Sequence, residues 1–250
     1  IHDTLPGASG YEWSKIEDEL AIDHTVYTVD LLGCGRSDKS SITYTNFVYV
    51  QMISDFIKKI IGQKTDVIAS GFSGSFVTMA CHNEKELFNK IMLVNPPSLT
   101  QLKQMPNRKD RLLKAALEIP IFGTLVYHMI VSRDNINNLF IEKMYYNPFH
   151  VDNQMADAYY EAAHKGGYYT RFLYSSLAAK YININICHAL KALDNSIYIV
   201  EGETEPNGKA VTDDYCASNP AIEVSVLKET KHLPHVEAPE AFLEQVKIFF

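Results

Sequence analysis

The sequence predicts an α/β fold, a mostly parallel sheet with helices on both faces and a helical insertion between two of its strands. Three observations lead there. Short β-branched runs alternate with longer stretches of helical periodicity, the pattern of strands joined by crossover helices. Small residues cluster directly after one such run, in Ser70-Gly71-Phe72-Ser73-Gly74-Ser75. From Ser98 to Asp194 the alternation stops and helical periodicity takes over.

The elements follow in order. Thr25–Asp30 reads as a strand ending in Asp. Residues 45 to 61 read as a helix, because Tyr49, Ile53, Phe56, Ile57 and Ile60 recur at spacings of three and four, and Gly62 supplies the stop. Asp66–Ala69 is a short buried strand, and a helix through Thr78, Ala80 and Cys81 follows it. Lys90–Asn95 is the next strand, closed by Pro96-Pro97. The stretch 98–194 is rich in aromatics (Tyr145, Tyr146, Tyr159, Tyr160, Tyr168, Tyr169, Phe172, Tyr174) and reads as a helical lid. Strands resume on its far side, so 1–97 and 195–250 together form one core. Ser196–Val200 and Ile222–Leu227 are two more strands. A last helix begins at Pro239, which suits the first helical position, and turns Phe242, Val246 and Phe249 inward.

Composition narrows the function. The chain has 250 residues, 46% of them hydrophobic, enough to bury a sizeable core. Its 30 acidic and 23 basic residues give a net charge of −7 with no basic run, which excludes a duplex nucleic-acid footprint. No apolar run approaches the ~18 residues of a membrane span. Cys34, Cys81, Cys187 and Cys216 lie far apart. They have neither metal-ligand spacing nor a disulfide pattern, and read as unpaired thiols. A cytoplasmic location is the default that follows. The chain opens on Ile1, so a leader or anchor ahead of it stays open, as does the oligomeric state.

The chemistry concentrates at the carboxyl edge of the sheet. A serine on a tight strand-to-helix turn is pushed outward, and Ser73 holds that place in a G-x-S-x-S string, with Gly71 and Gly74 relieving the turn. The N–H of Gly74, at a helix start, can face a developing oxyanion. A serine hydroxyl needs a base held by a third group. His232 lies in the loop between the last strand and the last helix, with His235 as its near competitor. Glu203 and Glu205 follow the strand that ends at Val200, and either could orient an imidazole.

Together these pieces resemble the α/β-hydrolase superfamily. The likeness is to its capped, serine-nucleophile branch of esterases, proline-iminopeptidase-like peptidases, C–C bond hydrolases and cofactor-free haloperoxidases. Asp30-Leu31-Leu32-Gly33-Cys34-Gly35-Arg36-Ser37-Asp38 matches the family loop D-x-x-G-x-G-x-S-D, and His232 to Phe242 matches its histidine loop and final helix. Gly202-Glu203-Thr204-Glu205-Pro206 aligns with its acid turn, with Glu205 on the usual aspartate. The likeness covers 1–98 and 195–250.

The resemblance implies a triad of Ser73, His232 and Glu205, with Glu203 as the alternative acid. It implies an oxyanion hole from the backbone N–H of Gly74 and of Thr4 or Leu5. It further implies strands ahead of Ile1. The implied activity is hydrolysis of a small ester, thioester or amide, apolar or amphipathic, without metal or organic cofactor. The alternatives are a catalytically silent ligand-binding relative, and a cofactor-free lyase or haloperoxidase using the same residues. Four positions depart from the family pattern: Asp3 for the oxyanion-loop glycine, Ser75 for the second elbow glycine, Lys231 before the histidine, and Glu205 for aspartate. Asp3 alone opposes catalysis, since a carboxylate near a forming oxyanion repels it. An active serine enzyme therefore requires Asp3 to be turned out of the pocket, protonated or paired with a cation. The expectation is that it points away from Ser73 and finds Arg36, another donor or backbone N–H groups. Such an enzyme also requires Ser73 Oγ within hydrogen-bond reach of His232.

Overall fold

The computed structural model describes all 250 residues, Ile1–Phe250. Four parallel strands, β1 (Thr65–Ser70), β2 (Phe88–Val94), β3 (Ile197–Gly202) and β4 (Glu223–Leu227), form one sheet in the order β1-β2-β3-β4. Ten helices of more than one turn accompany it. Helix α1 (Asn46–Phe56) precedes β1, and α2 (Ser73–Asn83) carries the chain from β1 to β2. Between β2 and β3 come α3 (Arg108–Glu118), α4 (Phe122–Ile130), α5 (Arg133–Leu139), α6 (Asn153–His164), α7 (Thr170–Ala178) and α8 (Cys187–Ala192). Helix α9 (Gly208–Ser218) joins β3 to β4, and α10 (Pro239–Phe249) closes the chain.

The period of two along the central strands decides the layering. Ile91 and Leu93 of β2 and Ile197 and Ile199 of β3 pack with α1, α2, α8 and Tyr215 of α9. Their alternates Met92, Val94, Tyr198 and Val200 pack with Trp13, Ile16 and with Phe242 and Val246 of α10. Both faces of these strands are thus buried, which is why the runs read as continuously apolar. The helix expected over 45–61 runs as α1 and continues through a π-helical turn, Ile57–Ile61, to Gly62 at φ 71°.

The expected strand Thr25–Asp30 does not join the sheet. A cleft of about 450 Å³ lies between residues 25–29 and the outer edge of β1 at Thr65–Ile68, so the segment meets no ladder partner. Its β-branched residues carried the propensity, but a strand exists only once its backbone is paired.

Residues 98–194 contain helices and no strand. Tyr127, Phe140, Met155 and Tyr159 centre an apolar cluster that also takes in Ala8, Leu233 and Val236. The insertion therefore rests on the loops at the carboxyl edge of the sheet. Its last third, through Leu173, Ile182, Ile186 and Leu190, belongs to the main core instead. No single helix is long and apolar enough to cross a membrane.

Candidate active site

The turn after β1 sets the register of the site. β1 ends at Ser70, and the next residue, Gly71, takes φ 53°. A side chain there would run into the carboxylate of Asp3, whose three outer atoms occupy the space a Cβ needs. The tip of the strand-to-helix turn is therefore Gly71, two residues before the serine singled out from sequence. Ser73 is the first residue of α2 and is fully buried. Its hydroxyl donates to the carbonyl of His2 at 2.5 Å and lies 3.3 Å from Thr4 Oγ1. The hydrogen bond expected between Ser73 and His232 is not formed. Gly74 is also displaced from its expected role, because its N–H closes the turn onto the carbonyl of Gly71 at 3.1 Å.

Asp3 occupies what the turn leaves open. Ser70 N–H donates to the carbonyl of Ile1 at 3.0 Å, so the chain runs beside the end of β1 and carries Asp3 over Gly71. Asp3 Oδ1 accepts the N–H of Thr4 at 2.6 Å and that of Phe72 at 2.8 Å. These are two convergent donors, the arrangement that holds an oxyanion in acyl transfer. Thr4 was expected in that role, whereas Phe72 replaces Gly74. Leu5 instead offers its carbonyl to the N–H of Ala8 at 3.0 Å. The carboxylate is not turned away, nor paired with Arg36, whose backbone N–H serves Asp30 Oδ2 at 2.6 Å. It satisfies itself on backbone N–H groups and faces inward.

His232 closes the arrangement. Its Nε2 lies 3.5 Å from Asp3 Oδ2 and its Nδ1 lies 3.2 Å from Glu205 Oε1. Burial alone would lower its pKa, but hydrogen bonding to and the charges of Asp3 and Glu205 outweigh it and raise the value to about 10. Glu203 sits elsewhere, accepting the N–H of Glu229 at 3.0 Å. The histidine loop is pinned by Asn95, which sequence reasoning missed. Its Nδ2 donates to the carbonyls of Lys231 at 2.8 Å and His232 at 2.9 Å, and its Oδ1 accepts Gly202 N–H at 3.0 Å. The available signal was a lone amide at the carboxyl end of an apolar strand, just before Pro96-Pro97.

Beneath Asp3 lies a second buried pair of an acid and a histidine. Asp3 N–H donates to Glu12 Oε2 at 3.3 Å, and Glu12 Oε1 lies 3.2 Å from His235 Nε2, with both side chains fully buried. Burial favours the neutral acid, yet His235 close against it, with His2 adding, brings Glu12 down to about 2. Trp13 stacks on His235 with ring centroids 4.4 Å apart. His235, a competitor by sequence, thus supports the floor of the site instead of facing its opening.

A tip residue at left-handed φ between a parallel strand and a helix faces a histidine from the loop after the last strand. That histidine is held by an acid from the loop after the strand before. The family model of the alpha/beta hydrolase family matches residues 4–245. The chain belongs to that family. Solved structures agree on the alpha/beta hydrolase fold. A serine hydrolase involved in carbazole degradation superposes with a TM-score of 0.78 at 17% identity, over 100% of this chain and 88% of its own. A meta-cleavage product hydrolase from Pseudomonas fluorescens gives 0.77 at 19%, over 100% and 88%. An epoxide hydrolase gives 0.77 at 16%, over 97% and 87%. A comparison with curated protein sequences found no match.

Proposed function

We propose that this alpha/beta hydrolase works through a carboxylate nucleophile, Asp3, with His232 as acid and base and Glu205 as its orienting partner. The observation that carries the reading is the division of labour between the two oxygens of Asp3. Oδ1 is held by the N–H groups of Thr4 and Phe72, and Oδ2 is free to react beside Nε2 of His232. The serine reading, Ser73 with His232 and Glu205, has the acid and the base but lacks the contact between nucleophile and base.

The nucleophile dictates the substrate class. With Oδ1 in the oxyanion donors, an acyl substrate finds no place for its own oxyanion. A carboxylate attacking a tetrahedral carbon needs no such place, so the electrophile is an sp³ carbon bearing a leaving group, an epoxide before others. Oδ2 bonds to the epoxide carbon, the carbon–oxygen bond opens, and the released oxygen takes the Nε2 proton of His232. His232, now neutral, accepts a proton from a water that attacks Cγ of Asp3. The negative charge of that tetrahedral intermediate rests on Oδ1, where Thr4 and Phe72 already donate. Collapse releases the diol carrying Oδ2, its alkoxide taking the proton from His232, and leaves the water oxygen on Asp3. That carboxyl then returns its proton to His232. In this reading residues 98–194 form the lid, supported by the packing of Tyr127 and Tyr159 with Leu233 and Val236.

The test is turnover of small aliphatic and aryl epoxides in heavy-oxygen water, with peptide mass spectrometry of Asp3. The expected results are heavy oxygen in Asp3 after one turnover and loss of about 10⁴-fold or more in Asp3→Asn. Ser73→Ala should retain activity. Ester hydrolysis abolished by Ser73→Ala, with a serine-reactive phosphonate on Ser73, would restore the serine reading. Absence of turnover on epoxides, alkyl halides and esters alike would leave the silent binding relative.

A further inference from the structure

We propose that the corner between α3 and α4 docks on the surface of an anionic phospholipid bilayer. Leu112 lies on α3 and Ile119 just past its end, seven residues on, and Phe122, Leu125 and Met129 recur at i, i+3 and i+7 along one face of α4. All five are exposed, Met129 to 70%. The two helices meet at an angle of 97°. At their junction Ile121 takes φ 66°, a conformation a β-branched residue adopts only at a cost, and turns its side chain 76% into solvent. Water is a poor environment for such a surface, and contiguous exposed apolar faces of this kind mark interaction sites.

Charge selects the occupant. Lys103, Arg108, Lys109 and Arg111 are all exposed on the approach to this corner. The two acids of the same stretch are engaged elsewhere: Asp110 with Lys180 at 3.2 Å and Glu118 with Lys114 at 2.5 Å. Arg108, Lys109 and Arg111 stand at the start of α3, within one turn of Leu112, and so rim the end of the apolar surface about 15 Å along α3 from the corner, on a chain whose net charge is −7. Basic residues beside an exposed apolar helix face are the pattern of interfacial anchoring, the rim meeting anionic headgroups and the tip entering the acyl boundary. The inference rests on exposure and charge, and stands independently of the role given to Asp3.

The experiment is co-sedimentation of the full chain with vesicles of phosphatidylcholine alone, and with phosphatidylglycerol as about a third of the lipid. Binding is expected to the anionic vesicles and to weaken with salt. Each of Arg108→Gln and Lys109→Gln should weaken it about fivefold. Phe122→Asp/Leu125→Asp should abolish binding while leaving the circular dichroism melt unchanged, because both side chains are exposed in the folded state. The proposal is overturned if anionic vesicles are not bound, or if binding survives Phe122→Asp/Leu125→Asp. It is equally overturned if sedimentation shows a dimer that this double variant dissociates, since a second copy would then cover the corner.

Discussion

The carboxylate of Asp3 stands where a side chain on Gly71 would have to stand. One residue supplies the group and the other the room, so the two positions are coupled and a substitution at either has meaning only with the other. Gly71→Ser alone places a hydroxymethyl against the carboxylate at φ 53° and should cost about 1–3 kcal/mol of stability. Asp3→Gly/Gly71→Ser removes the clash, frees the N–H groups of Thr4 and Phe72, and puts a hydroxyl at the turn tip near His232. We expect the double variant to gain hydrolysis of a p-nitrophenyl acyl ester by about 10²–10³-fold over the parent. Stopped assays with each single variant and the pair decide it.

That coupling also explains which parts of the site were legible. The order of elements, the histidine loop and Glu205 could be read because each is carried by local sequence, and the structure puts Glu205 3.2 Å from His232. The register of the turn could not. Ser70-Gly71-Phe72-Ser73-Gly74-Ser75 offers two alternative tips, Gly71 and Ser73, two residues apart. Where a strand ends to within a residue or two is invisible to propensity. The last pairing of β1, Ser70 with Val94 and with Ile1, ends the strand at Ser70 and puts the tip at Gly71. The position of Asp3 was beyond reach for a related reason, since the contacts that place it over the turn, with Gly71, Phe72 and His232, lie 68, 69 and 229 residues away in sequence.

The imidazole of His232 should titrate far above an ordinary histidine. With Asp3 and Glu205 on its two nitrogens and a pKa raised to about 10, it should remain charged at pH 8 in nitrogen-15 NMR spectra. Asp3→Asn removes one of the two charges and should bring the midpoint down. The same shift links to stability. A group whose folded pKa exceeds its unfolded value of about 6.5 stabilises fully below that value and loses its contribution as pH rises toward 10. Chemical denaturation should therefore show stability falling between pH 6.5 and 10, at a slope of at most about 1.4 kcal/mol per unit from this group. His232→Gln should flatten that slope, and an unchanged slope would refute the linkage.

Asn95→Ala should act on both the loop and the reaction. The amide joins the end of β2 to Gly202 and to the carbonyls of Lys231 and His232, and its backbone holds φ 43°, which Asn tolerates better than Ala. Removing it leaves buried partners unsatisfied at about 1–3 kcal/mol. Because His232 rides on this loop, the variant should lose kcat more than it raises KM. Asn95→Asp keeps the acceptor for Gly202 N–H but loses both donations, so it should rescue only part of the loss.

The pair of Glu12 and His235 offers the sharpest test of the site's foundation. Both groups are fully buried 3.2 Å apart, and Glu12 also accepts the N–H of Asp3, so removing either partner leaves the other buried polar group without its neighbour. Glu12→Gln and His235→Leu should each cost about 3–5 kcal/mol, whereas the combined replacement of both by apolar groups should cost less than the sum. The acid side of the stability curve follows from the same pair. Glu12 is held near 2, below the ordinary value of 4.5, so its contribution is present above 4.5 and fades as pH falls from 4.5 toward 2. The parent should show a steep acid transition in that window, and Glu12→Gln a shallower one from a lower plateau. A Glu12→Gln variant as stable as the parent at pH 7, with the same acid midpoint, would mean that the pair neither carries charge nor holds Asp3 in place.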